Sequence, residues 1–362
     1  MGHFTSFPAF PGRLGRLAAL LGGAVGLLAL SAAPVFACGG LIGPNGAVNL
    51  LRTTTLAGYH DGVEHYVTAF QFAGGGGEFG SIVPLPDVPS DVVRGGDWTL
   101  QRLVRETSPV DFFAARLSAE AAAAPGAEVL MERRIDALDI TVLRGGANDV
   151  GRWAIEHGFR LPPDAPEVLE FYASRSPIFM AAVFDADAAL ERGQAIGDGT
   201  PVHITIPTDN PWVPLRILAL GRTAAERVEA DVYLLTDRAP ALLPAPGFGT
   251  DGLVLDHFAP ATGELLADLR SDKGMEWVPD SAWLTKVRID AAAPELTFDL
   301  AIDASGLGAP SAVDAGLSSA QVAQITERAV GASAIVLAAL ALGLVAVVLG
   351  AQQLNRTRRQ PA

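Results

Sequence analysis

The sequence is short of cysteine, of lysine and of charge at its two ends, and each shortage excludes something. The 362 residues include one cysteine, so no disulfide can form within the chain and a disulfide-stapled scaffold is excluded. Of 26 basic residues only two are lysines, and 40 acidic residues give a net charge of −14. This sign opposes binding to a phosphate backbone, so nucleic acid is excluded as a main partner.

The N-terminal segment lacks acidic residues and has the pattern of a secretory signal peptide. Two arginines precede an uncharged run over 17–30, which suits a signal sequence and is short for a membrane span of about 20 residues. Val35 and Ala37 are the small residues that a signal peptidase requires. We therefore predict a signal peptide over 1–37 with cleavage after Ala37; the alternative is an uncleaved first anchor.

Cys38 directly follows the predicted cleavage site and offers a second processing chemistry. A cysteine in this position is the residue that lipoprotein processing modifies. The bulky Phe36 is a poor match to the residues that normally precede such a cysteine, and a second anchor would be unnecessary if the C-terminus spans the membrane. Lipidation of Cys38 is therefore the alternative to simple cleavage.

The C-terminal uncharged segment is long enough to cross a bilayer. Residues 329–355 carry no charge, whereas about 20 apolar residues suffice for a span. We predict a transmembrane helix over 329–351 and a basic tail over 352–362. The tail should stay in the cytoplasm by the positive-inside rule, and the residues that set this topology are Arg356, Arg358 and Arg359. The protein is thus predicted to be a single-pass protein of the cell membrane with its middle region outside.

One face of the predicted span consists of small residues. They follow a 4-3-4 spacing, which places them on one side of a helix: Ala339, Gly343, Ala346 and Gly350. Small faces allow two helices to approach closely. A helix–helix contact here is one interpretation, and chance in an alanine-rich span is the other.

The middle region is more acidic than the whole chain. Residues 38–328 retain 21 of the 26 basic residues and all 40 acidic ones, a net charge of −19. We expect this region to be soluble and to be repelled by anionic lipid. It divides into a predicted domain over 38–303, a flexible Ala/Gly/Ser/Pro-rich stalk over 304–317, and a juxtamembrane helix over 318–328 capped by Ser318.

Hydrophobic periodicity in the domain indicates an α+β fold with a mainly antiparallel sheet and several helices. An Asp61-Gly62 turn between two extended runs predicts a hairpin over 48–72. The other predicted elements are helices at 98–106, 111–123, 148–157 and 166–174, and strands at 80–86, 128–143, 178–184, 202–206, 213–220, 228–235, 264–270 and 295–302. Whether the domain has one lobe or two, divided near residue 125 or 190, stays open.

No cluster in the sequence predicts a catalytic, cofactor or metal site. His60 and His65 are five residues apart across a turn, which is not the spacing of a helical zinc site. Asp185 and Asp187 begin like a calcium loop, but the oxygen ligand and glycine required next are absent. The glycines of 74–77 lack the lysine and hydroxyl of a phosphate loop, and no nucleophile elbow occurs.

An ordered set of short motifs resembles a known bacterial family. The set consists of Cys38-Gly39-Gly40, Glu78 to Pro86, Asp139 to Leu143, His157-Gly158-Phe159, Val213-Pro214-Leu215-Arg216 and Trp283-Leu284-Thr285-Lys286. It resembles the domain of unknown function 2330 family over about residues 38–303. The resemblance implies a secreted, membrane-anchored protein with no assigned activity, so no catalytic residue carries over. A second cysteine that many relatives carry is absent here, and Ser81 replaces their aromatic residue.

Two hypotheses follow from these patterns. The first is an envelope protein whose acidic α+β domain binds another envelope component without chemistry of its own. The second is an extracytoplasmic hydrolase of unrecognised type, which would require a pocket with converging polar groups of perturbed pKa.

Overall fold

The computed structural model describes residues 40–43, 46–47, 53–71, 79–107, 127–191, 193, 199–247 and 252–328. The predicted signal peptide, the processing site at Ala37 and Cys38, the 111–123 helix, the 74–77 glycines, the 329–351 span with its small-residue face and the arginine tail lie outside these residues. Among the described helices, none has the length and apolar character needed to cross a bilayer.

The described strands and helices alternate along the chain. The strands are β1 (Gly40–Gly43), β2 (Gly46–Ala47), β3 (Thr53–His60), β4 (Val63–Gln71), β5 (Phe79–Leu85), β6 (Asp91–Arg94), β7 (Glu128–Ile135), β8 (Leu138–Arg144), β9 (Ile178–Phe184), β10 (Gly199–Pro207), β11 (Trp212–Val213), β12 (Arg227–Thr236), β13 (Ala241–Leu243), β14 (Leu253–Pro260), β15 (Trp283–Ala292) and β16 (Leu300–Asp303). The helices are α1 (Thr99–Thr107), α2 (Ala147–Glu156), α3 (Ala165–Ala173), α4 (Ala186–Glu191), α5 (Gly263–Ser271) and α6 (319–328), with 3-10 turns at Arg216–Ala219 and Ala293–Glu295.

Three sheets organise these strands. The first has the order β2-β1-β5-β9-β8-β7, the second β14-β15-β12-β3-β4-β10-β6, and a small third sheet β11-β16-β13. Every strand pair is antiparallel except β12 with β3, which is parallel. The prediction of an α+β fold with mainly antiparallel sheet is confirmed.

The two large sheets share one hydrophobic core and each carries helices on its other face. Val83 and Met180 of the first sheet pack in the same buried cluster as Val202 and Val232 of the second. On the opposite face of the first sheet, α2 and α3 bury a cluster that contains Trp153. On the opposite face of the second sheet, α1 and α5 bury another cluster. The layers are therefore helix, sheet, sheet, helix.

The hairpin at Asp61-Gly62 is confirmed. β3 and β4 pair from Thr55 with Thr68 to His60 with Val63, which leaves a two-residue turn. Asp61 and Gly62 have φ values of 50° and 77°. Both values are positive, as the tight turns that match strand twist require, and Asp and Gly are the residues that tolerate them.

Three predicted strands are wrong, one over its whole length and two over most of it. Residues 264–270 form the helix α5, because the Thr262 side chain accepts a hydrogen bond from the Leu265 backbone and caps the helix. Residues 213–220 are strand only at Val213 and then turn into a 3-10 helix. Residues 295–302 begin in a 3-10 turn and become strand only at Leu300. For 213–220 a distant carboxylate, Asp299, overrides the local pattern, whereas for 264–270 the local cap at Thr262 decides.

The predicted strand over 128–143 is two strands joined by a turn. Asp136 has a φ of 57° and reverses the chain between β7 and β8. The β-branched residues on both sides masked this short turn. Strands β14 and β15, which the sequence did not predict, pair antiparallel in the second sheet although helix α5 lies between them in the chain.

The segment over 304–317 is packed against the domain and is not a flexible stalk. Ala315 and Leu317 are buried in the main core, and the Asp299 backbone N–H donates to the carbonyl of Ala315. Small residues gave this segment a linker-like composition, but they also let it lie close to the sheets. Helix α6 then begins as predicted, with the Ser318 backbone N–H donating to Gln321 and the Gln321 backbone N–H donating to the Ser318 hydroxyl.

Candidate functional site

A buried carboxylate joins three distant parts of the chain. Asp299 precedes β16 and is fully buried. Its Oδ1 accepts hydrogen bonds from the Tyr172 hydroxyl at 2.8 Å and from the backbone N–H groups of Leu215 and Arg216 at 2.7 and 3.0 Å. Its Oδ2 accepts from Arg175 Nη2 at 2.5 Å. These contacts explain why residues 213–220 leave the extended conformation.

The partners of Asp299 are themselves buried and oriented. Burial raises the pKa of the Asp299 carboxyl, whereas the Arg175 guanidinium and the hydrogen bonds lower it. Burial and the neighbouring Asp299 charge hold the pKa of Tyr172 well above its usual value. The Arg175 guanidinium lies 4.1 Å from the ring centre of Phe171 and 5.1 Å from that of Trp212. A charge that is paired, hydrogen-bonded and enclosed by rings in this way is a structural anchor.

This network, which we call the Asp299 network (Tyr172, Arg175, Asp299 and the backbone of 215–217), holds two loops that border a cavity. Arg175 also donates to the backbone carbonyl of Asp314. The cavity has a volume of about 250 Å³ and is lined by Tyr59, Asp209, Asn210, Pro211, Ala301, Ile302, Asp303, Ala304, Ser305, Ala309, Pro310, Ser311 and Asp314. Three of these residues are acidic and none is basic.

The acidic residues of the cavity have different roles. The Asp303 carboxylate accepts hydrogen bonds from Ser305 and from the Gly308 backbone, so it shapes its own loop. Asp209 faces the strand end that carries Tyr59. Burial is the largest cause that raises the pKa of the Tyr59 phenol, and the charges of Asp209, Glu64 and Asp237 raise it further. The Tyr59 hydroxyl donates to the Thr208 carbonyl at 2.8 Å, which fixes the ring at the cavity edge. The site therefore combines a negative field with a held aromatic ring.

Glu64 lies opposite Tyr59 in the β3–β4 pair and faces the core between the sheets. Neither carboxyl oxygen makes a hydrogen bond of good geometry among the described residues, and the Trp212 backbone interacts with the carboxyl only weakly. Burial raises the pKa of Glu64 to about 8, against a weaker opposing effect of the Trp212 backbone. Glu64 is therefore neutral at pH 7, and its burial keeps it from contacting a substrate.

His65 lies on the outer face of the second sheet, on the same side of the β3–β4 pair as His60. Its Nδ1 is 3.0 Å from His203 Nε2, and its ring stacks on Trp277 at 4.0 Å between centres. Burial lowers the pKa of His65 to about 3 and that of His203 to about 4. The indole can lie flat on the sheet because Gly58 has no side chain; a Cβ there would be 2.1 Å from the Trp277 ring.

His60 lies at the hairpin end with two carboxylates. Its Nδ1 is 2.6 Å from Asp237 Oδ1, and its Nε2 is 3.4 Å from Asp61 Oδ2. The ligand atoms of these three residues all lie within 4.8 Å of one another. The two histidines lie on one face of the hairpin but have different hydrogen-bond partners, His203 for His65 and Asp237, which directly follows strand β12, for His60.

The remaining sequence candidates have structural roles. Asp185 caps helix α4 by accepting from the Ala188 backbone, so the calcium-like start at 185–187 is a helix start. The sequence reasoning missed Tyr172, Arg175, Asp299 and Asp237. One signal was available for Asp299: a single charge directly before the apolar run Leu300-Ala301-Ile302 indicates a buried, partnered carboxylate.

These features define a class: an α+β domain of two packed sheets between helices, with an acidic cavity supported by a buried ion pair. The chain belongs to the bacterial family described as uncharacterized proteins conserved in bacteria, domain of unknown function 2330, whose sequence profile matches residues 32–241. The matched region includes the hairpin end and Arg175 but stops before Asp299 and the far side of the cavity, so it is shorter than the resemblance predicted.

No curated protein matches the chain. Among solved structures, the chain is similar to a mutated baculovirus P35 after caspase cleavage, with a TM-score of 0.37 at 8% identity over 69% of this chain and 98% of that one. Baculovirus P35 itself gives a TM-score of 0.36 at 7% identity over 69% and 96%. At these scores the similarity supports no statement about fold or function.

Proposed function

We propose that this protein is a single-pass envelope protein whose extracytoplasmic domain binds a basic side chain of an envelope partner in the acidic cavity. The observation that carries the proposal is the lining of that cavity: Asp209, Asp314 and the Tyr59 ring, with no basic residue among the lining residues. Carboxylates and an aromatic face together are the groups that recognise ammonium and guanidinium cations.

The size of the cavity favours a side chain over a small-molecule substrate. Pockets for drug-sized ligands measure about 300–1,000 Å³, and this cavity of about 250 Å³ is smaller. One lysine or arginine side chain fits such a volume. The net charge of −19 over residues 38–328 would speed the approach of a basic partner.

The experiment is affinity purification of the full-length protein in mild detergent, followed by mass spectrometry of co-purified proteins and of the mature N-terminus. We expect a stoichiometric partner that the double variant Asp209→Asn/Asp314→Asn loses and that Asp280→Asn, an exposed carboxylate elsewhere, retains. A partner retained by the double variant would contradict the cavity as its site. Turnover of a cell-wall or peptide substrate that one carboxylate or histidine substitution abolishes would favour a hydrolase instead.

Topology is tested separately. We propose that residues 329–351 span the membrane, that residues 352–362 stay inside and that cleavage follows Ala37. Protease added to spheroplasts should degrade the domain and leave a C-terminal epitope tag protected. A degraded tag would contradict the orientation, and a mature N-terminus other than Cys38, with or without lipid, would contradict the cleavage site.

A further inference from the structure

The hairpin end carries the His60 imidazole between the carboxylates of Asp237 and Asp61. Only one of the two nitrogen–oxygen distances is that of a hydrogen bond. His60 Nδ1 to Asp237 Oδ1, at 2.6 Å, is a hydrogen bond. His60 Nε2 to Asp61 Oδ2, at 3.4 Å, is longer than a good hydrogen bond between these atoms. The two nitrogens therefore have different partners and are suited to different tasks.

The hydrogen bond to Asp237 fixes the state of the ring. A carboxylate only accepts, so Nδ1 carries the hydrogen and, in the neutral ring, Nε2 carries the lone pair. That lone pair is 3.4 Å from an oxygen of Asp61, which is also negative. Two electron-rich atoms at this distance repel each other unless a cation lies between them. A metal ion bound to both atoms would remove this repulsion.

The 3.4 Å separation is the one that two ligands of a single metal ion show. Nitrogen and oxygen ligands bind zinc at about 2.0–2.1 Å, and in tetrahedral geometry two such ligands lie about 3.3–3.4 Å apart. A histidine that binds a metal usually donates its other ring N–H to a carboxylate, as His60 donates to Asp237 here. The hairpin end therefore has both a ligand pair and the residue that orients it.

The backbone holds these groups in place without the metal. The turn gives Asp61 a positive φ of 50°, which places its Cα beside the strand end that carries His60. Asp237 directly follows Thr236, which pairs with Tyr59 in the parallel register of β12 and β3. The Thr236 hydroxyl donates to the Arg238 carbonyl and bends the chain at this point. His60 is about one third exposed, Asp237 half and Asp61 almost fully, so solvent reaches the site.

We propose that His60 Nε2 and Asp61 bind a divalent transition-metal ion of the zinc type, with water completing the coordination and Asp237 orienting the imidazole. An imidazole with a carboxylate suits zinc, nickel or copper better than calcium or magnesium, which prefer oxygen alone. Asp237 is a positioning residue in this site. None of the three residues lines the acidic cavity, although Asp237 acts on the Tyr59 phenol at the cavity edge, so variants at each place test the two proposals separately.

The test is calorimetric titration of the full-length protein, carrying a tag without histidine, with ZnCl₂ and with CaCl₂. We expect one zinc per chain, bound at least ten times more tightly than calcium. His60→Gln and Asp61→Asn should each weaken zinc binding at least tenfold, and His257→Gln, on edge strand β14, should leave it unchanged. Asn tolerates a positive φ, so Asp61→Asn preserves the turn while removing the charge.

Asp237→Asn separates orientation from folding. We expect roughly tenfold weaker zinc binding, the usual cost of losing an orienting carboxylate, with an unchanged unfolding midpoint in the absence of metal. Asp237→Glu should recover part of the affinity. Zinc binding that survives His60→Gln would place the metal elsewhere and overturn the proposal. Binding no tighter than millimolar would also overturn it.

Discussion

Asp299 and Glu64 are both fully buried carboxylic acids in one domain, yet their surroundings are opposite. Asp299 accepts four hydrogen bonds, one of them from a buried arginine. Glu64 makes no hydrogen bond of good geometry with the described residues beyond a weak interaction with the Trp212 backbone, and burial raises its pKa to about 8. The comparison shows that burial alone does not decide the role of an acid. A partnered acid fixes loops, whereas an unpartnered one makes stability depend on pH.

The largest expected effect is the loss of the Asp299 network. Arg175→Ala would leave the Asp299 carboxylate buried without its cation and should destabilise the domain by about 3–5 kcal/mol, as removal of one partner from a buried ion pair does. Urea unfolding of the full-length protein in detergent measures this loss. Asp280→Asn, at an exposed ion pair with Arg270, is the control and should not shift the unfolding midpoint. A loss as small as that of the control would mean that the network does not hold the loops.

The sequence predicted the elements whose periodicity is local and missed those that the Asp299 network holds. Strand β9, which is apolar throughout, and helix α3 were predicted to within one residue of their observed bounds. Residues 213–220 were predicted to be a strand because Val213, Leu215 and Ile217 alternate with other residues, but their backbone donors bind Asp299, more than 80 residues away. No local pattern contains that information.

The candidate sites also contain one part that local sequence predicts and another that depends on distant contacts. The turn that fixes Asp61 was predicted from two residues, because Asp-Gly determines the turn type. The cavity and the approach of Asp237 to His60 depend on the parallel pairing of β12 with β3, across 177 positions of sequence. Pairing between such distant strands cannot be derived from one sequence. The sequence alone therefore could not show whether His60 belongs to a metal site.

The second prediction concerns the unpartnered acid. The pKa of Glu64 is about 8 in the folded protein and 4.5 as its ordinary value, so the folded state holds a proton that the unfolded state has lost. The unfolding free energy should therefore fall as the pH rises from about 4.5 to about 8. At about 1.4 kcal/mol per pKa unit the upper bound is about 5 kcal/mol, which relaxation reduces to about 2–4 kcal/mol.

Glu64→Gln should remove this loss. The amide keeps the shape and cannot ionise, so the variant should be more stable than the parent at pH 8 and nearly equal to it at pH 4.5. Urea unfolding across pH 4.5–8.5 measures the difference. Glu264→Gln, a solvent-facing glutamate in helix α5, is the matched control. Parallel pH profiles of the parent and Glu64→Gln would show that Glu64 has an ionised partner after all, and the contrast with Asp299 would disappear.

The smallest expected effect has the opposite dependence on pH and tests whether burial is the common cause of the two pKa shifts, because His203, unlike Glu64, has a ring nitrogen 3.0 Å from His65. Burial lowers the pKa of His203 to about 4 from an ordinary 6.5, so the unfolded state binds a proton that the folded state rejects. The contribution of neutral His203 to the unfolding free energy should be fully present above pH 6.5 and be lost as the pH drops toward 4. His203→Gln should reduce the loss of unfolding free energy at low pH by about 1–2 kcal/mol. This is less than the pKa shift implies at about 1.4 kcal/mol per pKa unit, because His65 still contributes. His257→Gln should leave the acid limb unchanged. An unfolding free energy of the Glu64→Gln variant that rises toward pH 4 would show that the histidine pair is protonated when folded. Burial would then not be the common cause of the two pKa shifts.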